Sequence, residues 1–115
     1  MKIITGKVGT GKTLEMIKQA HIKRFTIVVR KEWLTEAIRE TAHNLGYIIP
    51  DPISYSEFLS SGLGMDTGNK YFIENIEEFL AYAFPQKSIK GFICDGENVT
   101  VMEKLSEGFF KRELI

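Results

Sequence analysis

The sequence predicts an α/β fold, a three-layer α/β/α domain whose mostly parallel sheet has four or five strands. Two apolar runs near the start of the chain, at residues 1–5 and 25–29, are each followed by a segment with helical periodicity. Strands that alternate with helices in this way are typical of parallel sheets. The run at 25–29 is rich in β-branched residues, as expected of a strand buried on both faces. We therefore expect any site at the carboxyl edge of the sheet, where the first strand meets its helix.

Periodicity and turn residues predict the other elements. Helices are expected at about 11–24, at 33–45 before a Leu45-Gly46 stop, and at 76–84 before Pro85, with a brief strand entering a helical turn at 53–59 and strands at 71–73 and 89–94. Trp33 is expected to pack against other side chains, with adenine stacking as the minor alternative. We expect the 25–29 strand at or near a sheet edge, and a strand ending in an acid beside the first strand. The segment after Asp95 is either a helix from Thr100 or a hairpin, and 60–69, rich in Gly, Ser and Asp, is a candidate mobile loop.

Length and composition indicate one ordinary globular domain covering 1–115, with 43% apolar and 26% charged residues. No apolar run approaches membrane-spanning length, so no membrane association is expected. The single cysteine, Cys94, offers neither a disulfide nor a metal cluster, and we expect it to fill space in the core. A cytoplasmic location fits this use of cysteine.

Formal charge sums to zero but is unevenly distributed. Residues 1–50 carry nine Lys or Arg against four Glu, whereas residues 51–115 carry six against eleven acids. A basic patch contacting DNA or a protein partner is one interpretation, and a solvated helix face with a charged strand end is the favoured one. Zero net charge gives DNA binding weak support.

The most specific motif is G-x-x-x-x-G-K-T at residues 6–13, the Walker A pattern of a P-loop. In such a loop glycines let backbone N–H groups surround a phosphate, a lysine reaches the β- and γ-phosphates, and a threonine hydroxyl binds Mg²⁺. The sequence therefore predicts nucleotide binding, with ATP and Mg²⁺ as cofactors, since no guanine-specifying motif occurs. The predicted nucleotide-binding residues are Gly6, Lys7, Val8, Gly9, Thr10, Gly11, Lys12, Thr13 and Leu14.

A P-loop also needs an acid for Mg²⁺ at the end of a nearby strand. Glu74 follows the apolar residues 71–73, and Asp95 follows the run at 89–94. Each also has a structural interpretation, Glu74 as a carboxylate at a helix start and Asp95 as the first residue of a turn. The predicted metal ligands are therefore Thr13 with Glu74 or Asp95.

The chain resembles small P-loop ATPase-like proteins encoded by bacteriophages over residues 1–95. The resemblance is carried by the Walker A loop, the strand at 25–29, the segment at 52–59 and the sequence Phe72-Ile73-Glu74-Asn75-Ile76-Glu77. It implies that Glu74 takes the position of the Mg²⁺ acid and Asn75 the adjacent catalytic position, and that 89–94 is a strand ending in a γ-phosphate sensor.

Two residues depart from that pattern. Glu in place of Asp lengthens the side chain by one methylene, so Glu74 is expected to reach Mg²⁺ through water. Asn75 can orient a water molecule but cannot take its proton. Glu77 is the nearest substitute base, with Glu78 behind it, and both are expected on the following helix facing solvent. The predicted catalytic residues are thus Lys12, Glu74, Asn75 and Glu77, with a further copy of the chain or a protein partner as the source of an arginine in trans.

Three functions remain open from the sequence. The leading one is a slow or partner-stimulated ATPase in phage or mobile-element DNA metabolism. The second is phosphoryl transfer to a small acceptor, as in nucleotide kinases, for which only the 60–69 loop could serve as a lid. The third is a nucleotide-gated interaction module that does not hydrolyse its ligand.

Overall fold

A computed structural model describes residues 1–7, 9–60, 68–97, 99–105 and 108–114, with residues 103–114 described by their backbone. The chain is an α/β protein that divides into two compact units, one formed by 1–16 with the C-terminal part from residue 91 and one by 17–90. Most of the predicted loop at 60–69, and Val8 of the predicted binding set, lie outside the described residues.

The larger unit is built on a parallel three-stranded sheet in the order β3-β2-β4. Its strands are β2 (Thr26–Val29), β3 (Ile53–Ser54) and β4 (Tyr71–Ile73). Its helices are α2 (Glu32–Asn44), α3 (Tyr55–Ser60) and α4 (Ile76–Ala83), together with most of α1 (Lys12–Lys23). Val28, Tyr55 and Phe79 form the buried cluster of this unit. Strands joined through helices give the parallel pairing that the sequence predicts.

The smaller unit contains β1 (Ile3–Gly6), the first turn of α1, and the C-terminal strands β5 (Val99–Leu105) and β6 (Gly108–Leu114). β1 pairs with β5 in parallel, and β5 pairs with β6 antiparallel. The register sets Gly6 opposite Met102, so the end of β1 is fixed against the middle of β5. Residues 99–101 therefore lie in a strand, so the predicted helix from Thr100 is wrong. The predicted hairpin is wrong as well, because residues 88–95 form no strand and β5 pairs with β1 and β6 instead.

Several predictions of the sheet arrangement are wrong. The described strands form two three-stranded sheets instead of one sheet of four or five, and β2 is the central strand of its sheet instead of an edge. Within the described residues, β1 pairs with β5 and β4 pairs with β2, so the strand before Glu74 is not hydrogen-bonded beside the first. The central position of β2 agrees with its burial, because Ile27, Val28 and Val29 are all fully inaccessible.

The predicted strand at 89–94 is absent, since residues 88–95 have no regular secondary structure. Gly91 lies inside this run, and glycine weakens a strand because it adds backbone entropy and no packing side chain. Two burial predictions fail as well: Cys94 is exposed, and Trp33 is 70% exposed in the first turn of α2. An apolar run shows what a segment could bury, but not whether a neighbouring strand is available to pair with it.

Candidate functional site

The Walker A segment folds as a tight connection between β1 and α1. β1 ends at Gly6 and α1 begins at Lys12, so the motif occupies the turn from strand to helix that the sequence predicts. Gly9 and Gly11 have φ angles of +81° and +86°, which lie in the left-handed region that non-glycine residues avoid. The glycines are therefore required by the backbone path of the loop.

The carbonyl groups at the start of the loop are held by its own side chains. Lys12 Nζ donates to the Gly6 carbonyl at 2.6 Å and to the Lys7 carbonyl at 2.8 Å. The Thr10 hydroxyl donates to the Lys7 carbonyl at 2.6 Å, and the Thr10 N–H reaches the same oxygen at 3.3 Å. The lysine side chain is thus folded back over the loop, and its ammonium lies near the N-terminus of α1.

The first turn of α1 supplies backbone donors. The first hydrogen bond of the helix runs from the Glu15 N–H to the Gly11 carbonyl at 3.0 Å. The N–H groups of Lys12, Thr13 and Leu14 precede that bond, and such groups have no acceptor within their own helix. Together with the helix dipole, they favour an anion at this end of α1.

Exposure separates the residues of the loop into two groups. The side chains of Lys7, Thr13 and Leu14 are exposed, so the Thr13 hydroxyl is open to a ligand. Thr10 is buried and its hydroxyl is used by the Lys7 carbonyl, so its predicted place in the binding set is through its backbone only. The loop, whose backbone path depends on its glycines, therefore offers a ligand backbone N–H groups, a lysine and one hydroxyl.

Glu74 lies immediately after β4, at the carboxyl edge of the β3-β2-β4 sheet. Its N–H donates to the Val28 carbonyl at 2.9 Å, and its carboxylate accepts a hydrogen bond from the backbone N–H of Arg30. The other carboxylate oxygen, Oε2, is buried and has no hydrogen-bond partner among the described residues. Burial raises the pKa of the Glu74 carboxyl, and Glu78 adds to the rise, while the charge of Arg30 acts in the opposite direction.

Three further residues surround Glu74 and were not among the predicted site residues. Arg30 Nη1 donates to both carboxylate oxygens of Glu78, at 3.1 and 3.2 Å. The Tyr55 hydroxyl contacts the Glu74 carbonyl and donates to the Asn75 carbonyl at 3.0 Å. Burial and the charge of Glu74 raise the pKa of Tyr55 to about 12, so the phenol remains a proton donor. The sequence did contain an indication of this arrangement, because Arg30 and Glu74 each directly follow a short apolar run, and the ends of parallel strands meet at one edge of a sheet.

We expect Tyr55→Phe to lower the free energy of unfolding by about 1 kcal/mol, because the change removes the hydroxyl that satisfies the carbonyls after β4. Urea unfolding followed by circular dichroism measures the change. Tyr82→Phe is the matched control, since Tyr82 packs on Tyr55 with its ring 5.7 Å away but is 47% exposed. Equal stability of Tyr55→Phe and the wild type would contradict the role of this hydroxyl.

Glu74 should also make stability depend on pH. A carboxyl whose pKa is raised by folding binds its proton more tightly in the native state, so stability falls as pH rises from the ordinary value of 4.5 through the raised native value. We expect Glu74→Gln to be more stable than the wild type at about pH 7, and the difference to disappear at about pH 4, where both states carry the proton. Urea titrations at the two pH values test this, with the exposed Glu77→Gln as the control.

The remaining predicted site residues lie as follows. Asn75 has a left-handed φ of 55°, and its side-chain oxygen accepts from the Glu78 N–H at 3.3 Å, so it caps α4. Glu77 is exposed in the first turn of α4. Asp95 is exposed and lies beyond a segment without a strand, whereas Glu74 directly follows one. Of the two candidate acids, Glu74 is the one at the end of a strand in a parallel sheet.

The described residues contain no group of three or more His, Cys, Asp or Glu side chains that could hold a metal by themselves. That observation concerns all-protein metal sites, whereas Mg²⁺ at a P-loop takes one hydroxyl and one acid besides phosphate and water oxygens. No described helix has both the length and the apolar character needed to cross a membrane.

Comparison with known proteins gives no relative for this chain. No protein-family model matches it, and no match was found among curated proteins or solved structures. The resemblance to phage-encoded ATPase-like proteins therefore remains a prediction from the sequence, and any function must be inferred from the residues of the chain.

Proposed function

We propose that this chain binds a nucleoside triphosphate, ATP, through the loop from Gly6 to Leu14. The observation that carries the proposal is the strand-to-helix loop in which Gly9 and Gly11 adopt positive φ and Lys12 Nζ lies on the carbonyls of Gly6 and Lys7. On binding, the ammonium exchanges these carbonyls for β- and γ-phosphate oxygens, which are stronger acceptors because they are charged. The amides of the first turn of α1 surround the same anion.

The chain has oxygen atoms of the kind that bind Mg²⁺. Thr13 has an exposed hydroxyl, and Glu74 has a buried carboxylate oxygen without a hydrogen-bond partner. A buried unpartnered oxygen costs free energy, and a cation or its bound water would satisfy it. In the smaller unit Thr13 is the residue that would hold Mg²⁺, and the ion would supply neutralisation of phosphate charge. Glu74, in the larger unit, stays the acid predicted from the sequence. Asp95 is the less suitable acid, because no strand leads to it.

We further propose that hydrolysis, in phage or mobile-element DNA metabolism, is slow or stimulated by a partner. Asn75 cannot take a proton from water, and its amide oxygen is already used in capping α4. Glu77 is exposed and remains the nearest carboxylate that could serve as a base. The capping role of Asn75 also favours a second candidate, a module that binds ATP as a signal without hydrolysing it.

Isothermal titration calorimetry with ATP, with and without Mg²⁺, tests the binding step. We expect binding that is tighter with Mg²⁺ and a Glu74→Gln variant that loses most of this difference. No heat at millimolar Mg·ATP would overturn the proposal. Phosphate release measured with and without DNA then separates the two candidates, since only the ATPase gives turnover under some condition.

A further inference from the structure

The solvent-facing side of α2 carries a row of like charges. Glu32, Glu36 and Glu40 recur every four residues, and all three are exposed. Side chains four residues apart are neighbours on one face of a helix, and carboxylates at this spacing repel each other and destabilise the helix. The row is therefore a local cost to α2 that a nearby cation would reduce.

Within the part of the chain that the structure describes, Arg39 offsets some of this charge. Its guanidinium lies 3.7 Å from the Glu36 carboxylate and 2.7 Å from that of Asp51. The charge of Glu32 also acts on it. The described residues give the Glu40 carboxylate no hydrogen bond or ion pair. Since one arginine is shared among several carboxylates, this side of α2 stays negative.

Exposed apolar surface borders the same row. Trp33 is 70% exposed in the first turn of α2, and Ala37, one turn further on, is exposed as well. Trp33 and Glu40 are seven residues apart, which is two helical turns, so they lie on one face. Tryptophan contributes more to protein–protein binding than most side chains when a partner buries it. We call Trp33, Glu36, Ala37 and Glu40 the acidic face.

The part of α1 that lies in the larger unit has a face of the opposite charge. Lys18 and Ile22 are four residues apart and both are exposed, Ile22 at 57%. Lys23 follows at the end of the helix and is exposed too, and residues 17–31 contain no acid. The described residues give the two lysine side chains no hydrogen bond or ion pair. We call Lys18, Ile22 and Lys23 the basic face.

The acidic and basic faces match in charge, and each has one large apolar side chain in water. Both belong to the larger unit, yet Trp33 and Ile22 are each more than half exposed, so the two faces do not cover each other within one copy. Opposite charges across an interface favour the correct partner and speed its association. A second copy of the chain offers both complementary faces.

We propose that the chain forms a dimer in which the acidic face of one copy contacts the basic face of a second. Because the contact joins two different faces, two copies related by a two-fold axis make it twice. The lysines of one copy then neutralise the glutamates of the other, and Trp33 leaves water against Ile22. The contact uses no residue of the nucleotide-binding loop, so the inference goes beyond the proposed function and does not rest on it.

Sedimentation equilibrium of the full chain, without nucleotide, tests the dimer. We expect the weight-average mass to rise from the monomer toward the dimer with concentration, and association to weaken as salt shortens the range of charge interactions. Trp33→Ala should raise the dissociation constant at least about tenfold, because a tryptophan at the contact is lost. Glu40→Lys and Lys18→Glu should each raise it roughly tenfold, because attraction becomes repulsion.

Mixing the two charge-reversed variants gives the sharpest result. Glu40→Lys and Lys18→Glu should each associate poorly alone but regain the wild-type affinity together, because both contacts of the mixed dimer then join opposite charges. Regained association also shows that both variants fold. Glu57→Lys, exposed in α3 of the same unit, is the matched control for net charge. It should associate like the wild type, and mixing it with Lys18→Glu should bring no gain over mixing the wild type with Lys18→Glu.

Three outcomes overturn the inference: no rise in mass up to about 1 mM chain, a dimer that all three variants leave intact, or a mixture that associates no better than its components. If a charge reversal does not fold, the neutral Glu40→Gln or Lys18→Gln replaces it, and an unchanged dissociation constant has the same meaning. A monomeric chain that binds single-stranded oligothymidine through Lys18 would assign the basic face to nucleic acid and would also overturn the dimer.

Discussion

Lys12→Ala is expected to weaken Mg·ATP binding by at least about 100-fold, the largest effect of any single change in this chain. The ammonium is the only side-chain cation that the motif directs at the β- and γ-phosphates, and charge-assisted bonds of this kind contribute about 1.5–3 kcal/mol each. Two such bonds correspond to a loss of about two orders of magnitude or more in affinity. Calorimetric titration with Mg·ATP measures it.

The fold should survive this change. Lys12 Nζ contacts the carbonyls of Gly6 and Lys7, and the Lys7 carbonyl also accepts from the Thr10 hydroxyl at 2.6 Å. Water can replace the lysine at such a partly exposed position, so we expect the free energy of unfolding to fall by less than the free energy of Mg·ATP binding. Lys18→Ala, an exposed lysine further along α1, controls for general loss of positive charge. If Lys12→Ala kept the wild-type affinity for Mg·ATP, the loop would not be the binding site.

The part of the site that the sequence predicts well is the part encoded by neighbouring residues. Gly9, Gly11 and Lys12 are fixed by a motif of eight positions, and the structure gives a strand, a tight loop and a helix at those positions. The helices at 12–23, 32–44 and 76–83 follow from apolar periodicity, which depends only on residues a few positions apart.

Pairing between distant segments was predicted less well. Nothing local indicates that β1 takes its partner from Val99–Leu105, or that β2 lies between β3 and β4. The contact between Arg30 and Glu78 joins residues 48 positions apart, and neither has a motif of its own. Such contacts are decided by which strand edges and side chains the whole fold brings together, a choice that single-segment patterns do not contain.

Gly6→Ala is expected to destabilise the smaller unit by about 2–3 kcal/mol, within the range measured for overpacked sites. A Cβ on Gly6 would lie 2.6 Å from the Met102 carbonyl oxygen and 2.7 Å from the Thr10 hydroxyl oxygen. The threonine can rotate, but the carbonyl is part of β5 and is paired in register with Gly6 itself. The clash between the added Cβ and the Met102 carbonyl can therefore be relieved only if the end of β1 moves away from β5.

Movement of that strand end also displaces the loop. The Gly6 carbonyl is one of the two acceptors of Lys12 Nζ, so we expect Gly6→Ala to weaken Mg·ATP binding as well as folding. Gly91→Ala is the matched control, because a Cβ there meets nothing within 4 Å, and it should leave both properties near the wild-type values. Urea unfolding and calorimetry on the two variants separate the outcomes. If Gly6→Ala keeps both the stability and the Mg·ATP affinity of the wild type, β1 and β5 are not in contact at Gly6. If it keeps the stability but loses the affinity, the glycine serves phosphate binding alone.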